Sequence, residues 1–492
     1  QTWSLNAAAT FVADADNSGA GSFILKDGAS LVTSNKPITI TAADLDLQGT
    51  SSTISSGSGL ITLTASHDGS IGLGGTAGQM TVSGAELERV STSGGLKMVT
   101  TGAGGISVDG ITTVHAANIS GITTLNAQGT GDVSFVANPS TFNRLTVNAG
   151  GATEVGVNLQ TSDAALRFET PVNVTGASEI STGTGSIYFG GTLDGSQPLT
   201  LTTGNGVTFN DAVRTASTLT LNLGGGTITT ASLDQIENTL TGLTVNSNSA
   251  LTLPSIVING PQVYNTGGTV TVTGDLGGVG LSFSQAVEVT SNNLELSAGA
   301  GTLNFTKTLD AITHNVTLSG DKIEFNRAVT TSGAITVRPG TAGQAMEVGS
   351  ASANGAAGTL DITAAELALL PATPASLTLG RSTGTGTLDV AGNVGFGAVP
   401  VTFNGMGGIS QSGGAVTATG AVTLRSAGAI ALANSANTLG DLSVVGTPTS
   451  VSIADSTAIT QGAAWALGTA PVTLNAGSNA ITLNTAGNTF GT

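Results

Sequence analysis

The chain has 492 residues, of which 72 are glycine, 39% are hydrophobic and only 9% are charged, and its formal net charge is −17. With 13 lysines and arginines in all, it lacks the basic stripe of a nucleic-acid-binding protein. No apolar run of about 18 residues is long enough to span a bilayer as a helix. Cysteine is absent, so disulfides contribute nothing to the fold.

Residues 1–35 are predicted to form an N-terminal cap or terminal strand region. The chain opens on Gln1 rather than methionine, which is typical of a processed or excised chain. Trp3 and Leu5 alternate with polar residues there, and a large ring suits a strand that covers the first coil, since an open sheet edge invites pairing.

The segment DADNSG that starts at Asp14 and includes Asp16 has the opening spacing of a calcium loop. Its twelfth position is Leu25, where such loops need a bidentate glutamate. The segment therefore fits a polar turn with self-bonding side chains. Calcium at these two aspartates is the alternative, and no other cofactor is predicted.

Residues 36–492 are predicted to form one continuous shaft, because one sequence unit recurs along them. The segment TGTGSIYFGGTLDGSQPLTLTTGNGVTFNDAV, residues 182–213, contains the unit twice, and its Phe189 and Phe209 occupy equivalent positions in the two copies. A fixed period of about 20 residues is the signature of stacked repeats. Short strands separated by tight turns then pair in parallel with the next coil at about 4.8 Å. The fold class is therefore all-β, a parallel β-solenoid, most simply a right-handed β-helix.

Equivalent phenylalanines of successive coils are expected to point inward and to stack. Two core ladders are predicted, one formed by Phe168, Phe189 and Phe209 and the other by Phe283, Phe305 and Phe325. Helices of ordinary length are not expected, because Gly, Thr, Ser and Asn interrupt every long window. The Ala-(Asp/Glu)-Leu pieces within ITAADLDL, AELERV and AELALL are predicted to be short helical turns or elbows between strands.

The last segment, ITLNTAGNTFGT, repeats IALANSANTLGDLSVVG but stops where the strand LSVV begins in the earlier copy. We expect either a longer natural chain or a strand supplied by a neighbour. Trp3 and Leu5 of one copy and Phe490 of the next are the candidate contacts of head-to-tail self-assembly, which would give an open filament.

These motifs resemble the β-strand repeats of filamentous-haemagglutinin-like bacterial surface proteins. The carriers are the unit GNGVTFNDAV, the LTL turns, ITAADLDL, AELxxL followed by TGxGxLxV, and NTxGxLSV. The resemblance implies a secreted, extracellular or cell-surface structural protein, such as an adhesin shaft, with a host surface, a neighbouring cell or a glycan as possible partner. The Asn-Pro-Asn type of secretion motif and a carboxy-terminal membrane barrel are not found in the sequence.

A non-enzymatic role is predicted, with a polysaccharide-binding or polysaccharide-cleaving β-helix as the alternative. Cleavage needs clustered carboxylates in a cleft, and charge is sparse here. The three histidines, His67, His115 and His314, have no acid or nucleophile at motif spacing. Thr-x-Thr segments occur, but not at the same place in consecutive coils, so they are assigned to ordinary β surface rather than to a flat face that binds ice or crystalline polysaccharide.

Overall fold

The computed structural model describes residues 1–230, 239–352 and 358–490. They form two compact units, Gln1–Ser249 and Ala250–Thr492. In both units the strands pair in parallel with strands about one coil away in sequence. Leu145 lies opposite Leu166, and Ile187 lies opposite Val207. The predicted all-β parallel solenoid is confirmed.

The strands of unit 1 are short and polar at alternate positions. In chain order they are β1 (Thr2–Leu5), β2 (Ala9–Val12), β3 (Ser22–Leu25), β4 (Ser30–Thr33), β5 (Ile38–Ala42), β6 (Asp44–Leu47), β7 (Thr53–Ser55), β8 (Ile61–Ala65), β9 (Ile71–Gly74), β10 (Met80–Val82), β11 (Val90–Ser91), β12 (Leu96–Thr100), β13 (Ile106–Asp109), β14 (Thr123–Ala127), β15 (Val133–Phe135), β16 (Ser140–Phe142), β17 (Leu145–Ala149), β18 (Thr153–Val155), β19 (Leu159–Thr161), β20 (Leu166–Phe168), β21 (Val172–Val174), β22 (Ser178–Ser181), β23 (Ile187–Phe189), β24 (Leu193–Gly195), β25 (Leu199–Thr203), β26 (Gly206–Phe209), β27 (Thr218–Leu223), β28 (Thr227–Thr230) and β29 (Gly242–Ser247).

Three long sheets form the faces of the unit 1 solenoid, and the chain visits them in turn. The first has the order β2-β5-β8-β12-β14-β17-β20-β23-β26-β28, and the second has the order β10-β9-β13-β15-β18-β21-β24. Within unit 1, the third runs β16-β19-β22-β25-β27-β29. Near the start of the chain, β1-β4-β7-β11 and β3-β6 form two smaller sheets.

Unit 2 is built in the same way. Its strands are β30 (Leu251–Leu253), β31 (Ile256–Val257), β32 (Gln262–Thr266), β33 (Val270–Val272), β34 (Leu276–Gly277), β35 (Leu281–Phe283), β36 (Val287–Val289), β37 (Leu294–Ser297), β38 (Thr302–Phe305), β39 (Leu309–Ile312), β40 (Val316–Ser319), β41 (Lys322–Phe325), β42 (Val329–Thr331), β43 (Ala334–Arg338), β44 (Ala345–Ser350), β45 (Thr359–Thr363), β46 (Ser376–Arg381), β47 (Thr387–Val390), β48 (Val394–Gly397), β49 (Val401–Gly405), β50 (Gly408–Ser410), β51 (Val416–Ala418), β52 (Val422–Ser426), β53 (Ile430–Leu432), β54 (Leu442–Gly446), β55 (Val451–Ala454), β56 (Ile459–Thr460), β57 (Ala466–Gly468), β58 (Val472–Asn475), β59 (Ile481–Thr482) and β60 (Thr489–Phe490).

Four long sheets and three strand pairs make up unit 2. The sheets are β30-β33-β36-β39-β42, β31-β34-β37-β40-β43-β46-β49-β52-β54, the unit 2 run β32-β35-β38-β41, and β45-β44-β47-β50-β53-β55-β58. The pairs are β48-β51, β56-β59 and β57-β60.

Helical structure in the described residues is limited to single turns at corners. These are α1 (Gly84–Leu87), α2 (Thr113–Ala116) and α3 (Ala364–Leu367). In α1 and α3 the glutamate of the Ala-Glu-Leu piece closes a capping box with the preceding Ser or Thr, which explains why the turn forms there. The related piece in ITAADLDL differs, because its Asp44 belongs to strand β6 and faces outward.

Alternation within each strand separates the core from the surface. Strands such as β5 and β25 bury their aliphatic positions and leave the intervening threonines half-buried. The corners need glycine where coils approach closely. At Gly183, whose φ is +56°, a Cβ atom would lie 2.2 Å from the Asp163 carboxylate of the preceding coil.

Candidate functional site

The inner phenylalanines form continuous aromatic stacks. Phe189 lies between Phe168 and Phe209, with ring centroids 5.3 and 5.5 Å apart and interplanar angles of 12° and 11°. All three rings are fully buried. Each such contact adds about 0.5–1.5 kcal/mol beyond the area buried, so this ladder is a principal source of stability in unit 1.

The second ladder is longer than the sequence alone indicated. Phe283, Phe305 and Phe325 stack in unit 2, and Tyr264 joins them at 5.3 Å from Phe283. The Tyr264 hydroxyl is buried and donates to Oε1 of the buried Gln262. Burial raises the pKa of Tyr264 far above its ordinary value. A tyrosine occupies this ladder position because a core glutamine lies two residues earlier to accept its hydrogen bond.

Asp14 is the centre of a hydrogen-bonded turn. Its Oδ1 accepts from the backbone N–H and hydroxyl of Ser18 at 2.9 and 3.0 Å, and its Oδ2 accepts from Gly19 N–H at 2.8 Å and Ser66 Oγ at 2.5 Å. These bonds, led by the one from Ser66, hold the pKa of Asp14 well below its usual range. The Asp16 side chain is exposed. The geometry favours the polar-turn interpretation, and calcium binding stays a prediction.

The candidate self-assembly residues keep aromatic surface open to solvent. Trp3 is 52% exposed on β1, where it pairs with Leu31 of the next coil, and Leu5 is half-buried. Phe490 is 41% exposed, and the edge of its ring system contacts the buried Trp465 at a centroid distance of 6.5 Å. These rings are available for contact, and their role in assembly stays a prediction.

Reciprocal amide pairs are a structural feature that sequence reasoning missed. Asn437 is fully buried. Its Oδ1 accepts from Gln411 Nε2 at 2.8 Å and from Val416 N–H at 2.9 Å, and its Nδ2 donates back to Gln411 Oε1 at 3.1 Å and to two backbone carbonyls. Each amide thereby satisfies the other across one coil, as buried polar groups require.

A second such pair among the described residues joins Gln461 and Asn488. Gln461 Nε2 donates to Asn488 Oδ1 at 2.5 Å, Asn488 Nδ2 returns a bond at 3.0 Å, and Trp465 N–H also donates to Asn488 Oδ1. The signal was present in the sequence as a Gln followed, a little more than one coil later, by Asn-Thr. It was hidden because isolated Gln and Asn residues look like ordinary surface positions.

Three carboxylates lie in register on neighbouring strands of unit 2. Glu347 on β44 is opposite Asp361 on β45 and Asp389 on β47. Asp361 is buried. Burial, the hydrogen bond with Asp361 and the charges of both aspartates raise the pKa of Glu347. This arrangement fits a carboxyl–carboxylate pair that shares a proton.

The outer faces of unit 1 differ in charge. Strands β5 to β26 of the first sheet contain no Asp or Glu but carry Lys97 and Arg167, and Arg144 directly precedes β17. We call this surface the cationic face. A recess of about 340 Å³ lies beside Arg144 and Arg167. The Arg167 guanidinium lies 4.0 Å from the Tyr188 ring centroid and pairs with Glu169 at 2.8 Å, and the side chains of this ion pair are exposed.

The outer side of the second sheet has the opposite sign, and we call it the acidic face. It carries Asp109, Glu154 and Asp194, with Asp132 directly before β15. Val213 pairs with Leu193 through an isolated parallel β-bridge, so the next residue, Arg214, is aligned with Asp194. Four acids and one cation give this face a negative charge. The charge of unit 1 is thus segregated by face, which the thin spread of charges along the sequence conceals.

One expectation about the surface was wrong, because Thr-x-Thr segments do align in two consecutive strands of unit 1, where Thr39 and Thr41 on β5 lie opposite Thr62 and Thr64 on β8. In unit 2, single outward threonines occupy the same place in consecutive strands of the sheet that contains β40 to β54. The pairings join Thr317, Thr336, Thr378, Thr402, Thr423 and Ser443. The second outward row of this sheet is mixed and includes Arg338 and Arg425, so the face has a single hydroxyl ladder rather than a double one.

Reactive groups are dispersed in the described part of the chain. No three His, Cys, Asp or Glu side chains gather there as a metal site would require. His115 contacts Glu88 at 3.7 Å and caps α2, while His67 lies in a turn with φ +53°. An apolar recess of about 310 Å³ beside Phe396 and Leu367 has no charged lining residue. No helix among the described residues is long and apolar enough to cross a membrane.

The parallel stacks, inner ladders and paired amides define a β-solenoid repeat protein. Residues 370–446 and 438–492 are similar to a family described as Repeats of unknown function (DUF5649). Each matched segment contains one of the two Gln–Asn pairs. No curated protein matches the chain, and no solved structure matches it.

Proposed function

We propose that this protein is a non-enzymatic structural component of an extracellular or cell-surface assembly, in the manner of an adhesin shaft. The observation that carries the proposal is the division between a core of uninterrupted apolar ladders and outer faces of short polar side chains. Such stacks gain their stability coil by coil, which leaves the outer faces available for contacts. Buried side chains such as Asn437 and Gln262 serve the stack itself.

Immunogold labelling of intact source cells tests the location. We expect label on unbroken cells and in the culture medium. Label that appears only after the envelope has been broken would contradict the proposal. The cells' own periplasmic β-lactamase, or another periplasmic protein, is labelled in parallel. The absence of that label shows that the cells were intact.

The polysaccharide-cleaving alternative has less support. Glycoside hydrolysis uses two carboxyl groups about 5–9.5 Å apart with the substrate between them. Glu347 lies directly opposite Asp361 on the paired strand, and the buried Asp361 side chain is not accessible to a sugar. Reducing-end assays on a panel of neutral and acidic polysaccharides should give no product, and release of oligosaccharides that Glu347→Gln abolishes would show that the protein is an enzyme.

Head-to-tail assembly is a second candidate, favoured by the exposed rings of Trp3 and Phe490. Deleting residues 1–5 should abolish filaments seen by negative-stain electron microscopy. Leu60→Ala, which trims an exposed leucine elsewhere, is the control and should leave filaments intact. Filaments that survive the deletion would show that these residues are not the contact.

A further inference from the structure

The charge segregation of unit 1 identifies a partner for its cationic face. In a chain of net charge −17, Lys97, Arg144 and Arg167 share one flat surface whose strands carry no acid, and Glu169, directly after β20, pairs with Arg167 and leaves the face with a net positive charge. Their side chains are half-buried or exposed. Threonines such as Thr124 and Thr146 occupy the positions between them, and their short side chains leave the surface flat. An acidic and equally flat surface would complement this face, and the acidic face of unit 1 has both properties.

The two faces also match in spacing. On the cationic face, Lys97 on β12 is two coils from Arg144 at β17, and Arg144 is one coil from Arg167 on β20. At about 4.8 Å per coil these separations are roughly 10 and 5 Å along the stack.

On the acidic face the same separations occur in reverse. Asp194 on β24 is two coils from Glu154 on β18, which is one coil from Asp132 at the start of β15. Two copies whose stacks run in opposite directions therefore place every cation of the set at the same level along the stack as an acid. Along the strands, Arg144 and Asp132 each lie two residues before the column of the other members of their face, a displacement of about 7 Å that the long arginine side chains must span. Copies that run in the same direction do not, because the two-coil separation on one face then lies opposite the one-coil separation on the other.

We propose that unit 1 associates side by side and antiparallel with a second copy of this chain, the cationic face of one copy against the acidic face of the other. The proposal rests on the proposed structural function. Because the two faces belong to different sheets of the same unit, the contact is heterologous and repeats from copy to copy, which generates an open layer. The side chains that determine it are Lys97, Arg144 and Arg167 with Asp194, Glu154 and Asp132.

The contact is small, so the association is reversible. Seven strands of three or four residues give the acidic face about 29 Å by 10–13 Å, or roughly 350 Å² per copy. Stable complexes bury about 800 Å² per partner. Attraction between exposed charges is screened by salt. The association therefore depends on protein concentration and on low ionic strength.

Sedimentation velocity on the full chain tests the proposal. Salt of about 0.02 M and about 0.5 M gives Debye lengths of roughly 20 and 4 Å. We expect the weight-average mass to rise with concentration at low salt, and the dissociation constant to increase at least about ten-fold at high salt. A chain that stays monomeric at low salt overturns the proposal.

Charge exchange identifies the faces. The triple variants K97E/R144E/R167E and D132K/E154K/D194K should each be monomeric alone, because their faces then carry like charges. An equimolar mixture of the two should associate again. K26E/K307E/R327E changes the net charge as much as the first variant, at exposed cations outside both faces, and should associate like wild type. Failure of the mixture to associate, or equal loss in the control, overturns the proposal.

An acidic polysaccharide is the competing partner. Monomeric wild type that is retained on immobilised polygalacturonate, with retention lost in K97E/R144E/R167E, would overturn self-association and assign the cationic face to polysaccharide. These outcomes are separate from the cell-labelling result, since a protein found inside the cell could still associate in solution and a surface protein could remain monomeric.

Discussion

Replacing Asn437 by alanine should destabilise unit 2 far more than the same change at Asn488. Both side chains form the reciprocal pair with a glutamine, but Asn437 is fully buried and Asn488 is half-exposed. Water can replace the lost partner only at the second site. The comparison therefore separates the cost of an unsatisfied buried group from the loss of the hydrogen bonds themselves.

The magnitude follows from the bonds that Asn437 makes. Its removal leaves Val416 N–H without a partner in a closed site and takes a bond from the carbonyls of Leu432 and Ala454. The half-buried Gln411 amide keeps its bonds with Gly414 and Asn434. A buried group left unsatisfied costs about 1–3 kcal/mol, so the N–H and the carbonyls together predict a loss of about 4 kcal/mol. At Asn488, solvent satisfies the freed groups, and about 1 kcal/mol is expected, the net value of an ordinary hydrogen bond.

Urea unfolding followed by tryptophan fluorescence measures both values. Trp465 is fully buried in unit 2, whereas Trp3 is largely exposed, so the fluorescence change reports mainly on unit 2. The double variant Q411L/N437L removes both amides, and its loss should be smaller than the sum of the two single leucine variants. Equal losses at Asn437 and Asn488, or a loss at Asn437 below about 1 kcal/mol, would refute the reasoning, since buried-group costs start at about 1 kcal/mol.

Phe189→Ala should lower the free energy of unfolding of unit 1 by about 3–5 kcal/mol, the range for a buried phenylalanine. Phe490→Ala, at an exposed ring, should cost about 1 kcal/mol or less. Thermal unfolding followed by far-UV circular dichroism measures both, and similar losses would contradict the ladder. Tyr264→Phe removes the donor to Gln262 and should cost about 1–2 kcal/mol, measured by urea unfolding, and an unchanged midpoint would show that this bond is not formed. Because hydrogen bonds lower the pKa of Asp14, the ionised side chain stabilises the folded state. This contribution to stability is present above pH 3.8 and is lost as the pH falls below that value. Asp14→Asn should lower stability at pH 7 and weaken this acid dependence in pH-jump unfolding. Calcium chloride added after EDTA treatment should leave the melting temperature unchanged, and a rise that Asp14→Asn abolishes would establish a calcium site.

The regular part of the fold could be predicted because the inward phenylalanines keep a constant period. Phe189 and Phe209 occupy equivalent positions in successive units, and identical residues at a fixed period can stack only if the coils are in register. A slip of one residue turns every side chain to the other face. Burial thus fixes the register, and the sequence pattern reveals it.

The threonine ladder of unit 2 could not be predicted because its spacing is irregular. Thr336 and Thr378 are neighbours in the sheet although the chain between them is about twice as long as usual, since β44 and β45 lie between them in sequence and join a different sheet. A search at a constant period misses such a pair. The Gln–Asn pairs and the charged faces could not be predicted for a related reason. Their members can be recognised as neighbours only when the path of each coil is known, and the sequence does not give that path.

Glu347 should make the stability of unit 2 depend on pH in the direction opposite to Asp14. Burial and the facing acids Asp361 and Asp389 raise its pKa above the ordinary 4.5, so the folded chain holds a proton that the unfolded chain releases. The stability that this proton provides is fully present below pH 4.5 and is lost as the pH rises through the raised pKa. The half-exposed side chain makes the effect modest.

Urea midpoints of unit 2, read from Trp465 fluorescence between pH 4 and pH 8, measure this dependence. Glu347→Gln keeps a hydrogen-bond donor beside Asp361 without a titrating proton, so its midpoint should decline less with rising pH than that of wild type and should be higher at pH 8. Asp441→Asn, at an exposed carboxylate that accepts a bond from Thr460, is the control and should keep the wild-type slope. If Glu347→Gln and wild type show the same slope, Glu347 and Asp361 do not share a proton, and the register of β45, β44 and β47 serves packing alone.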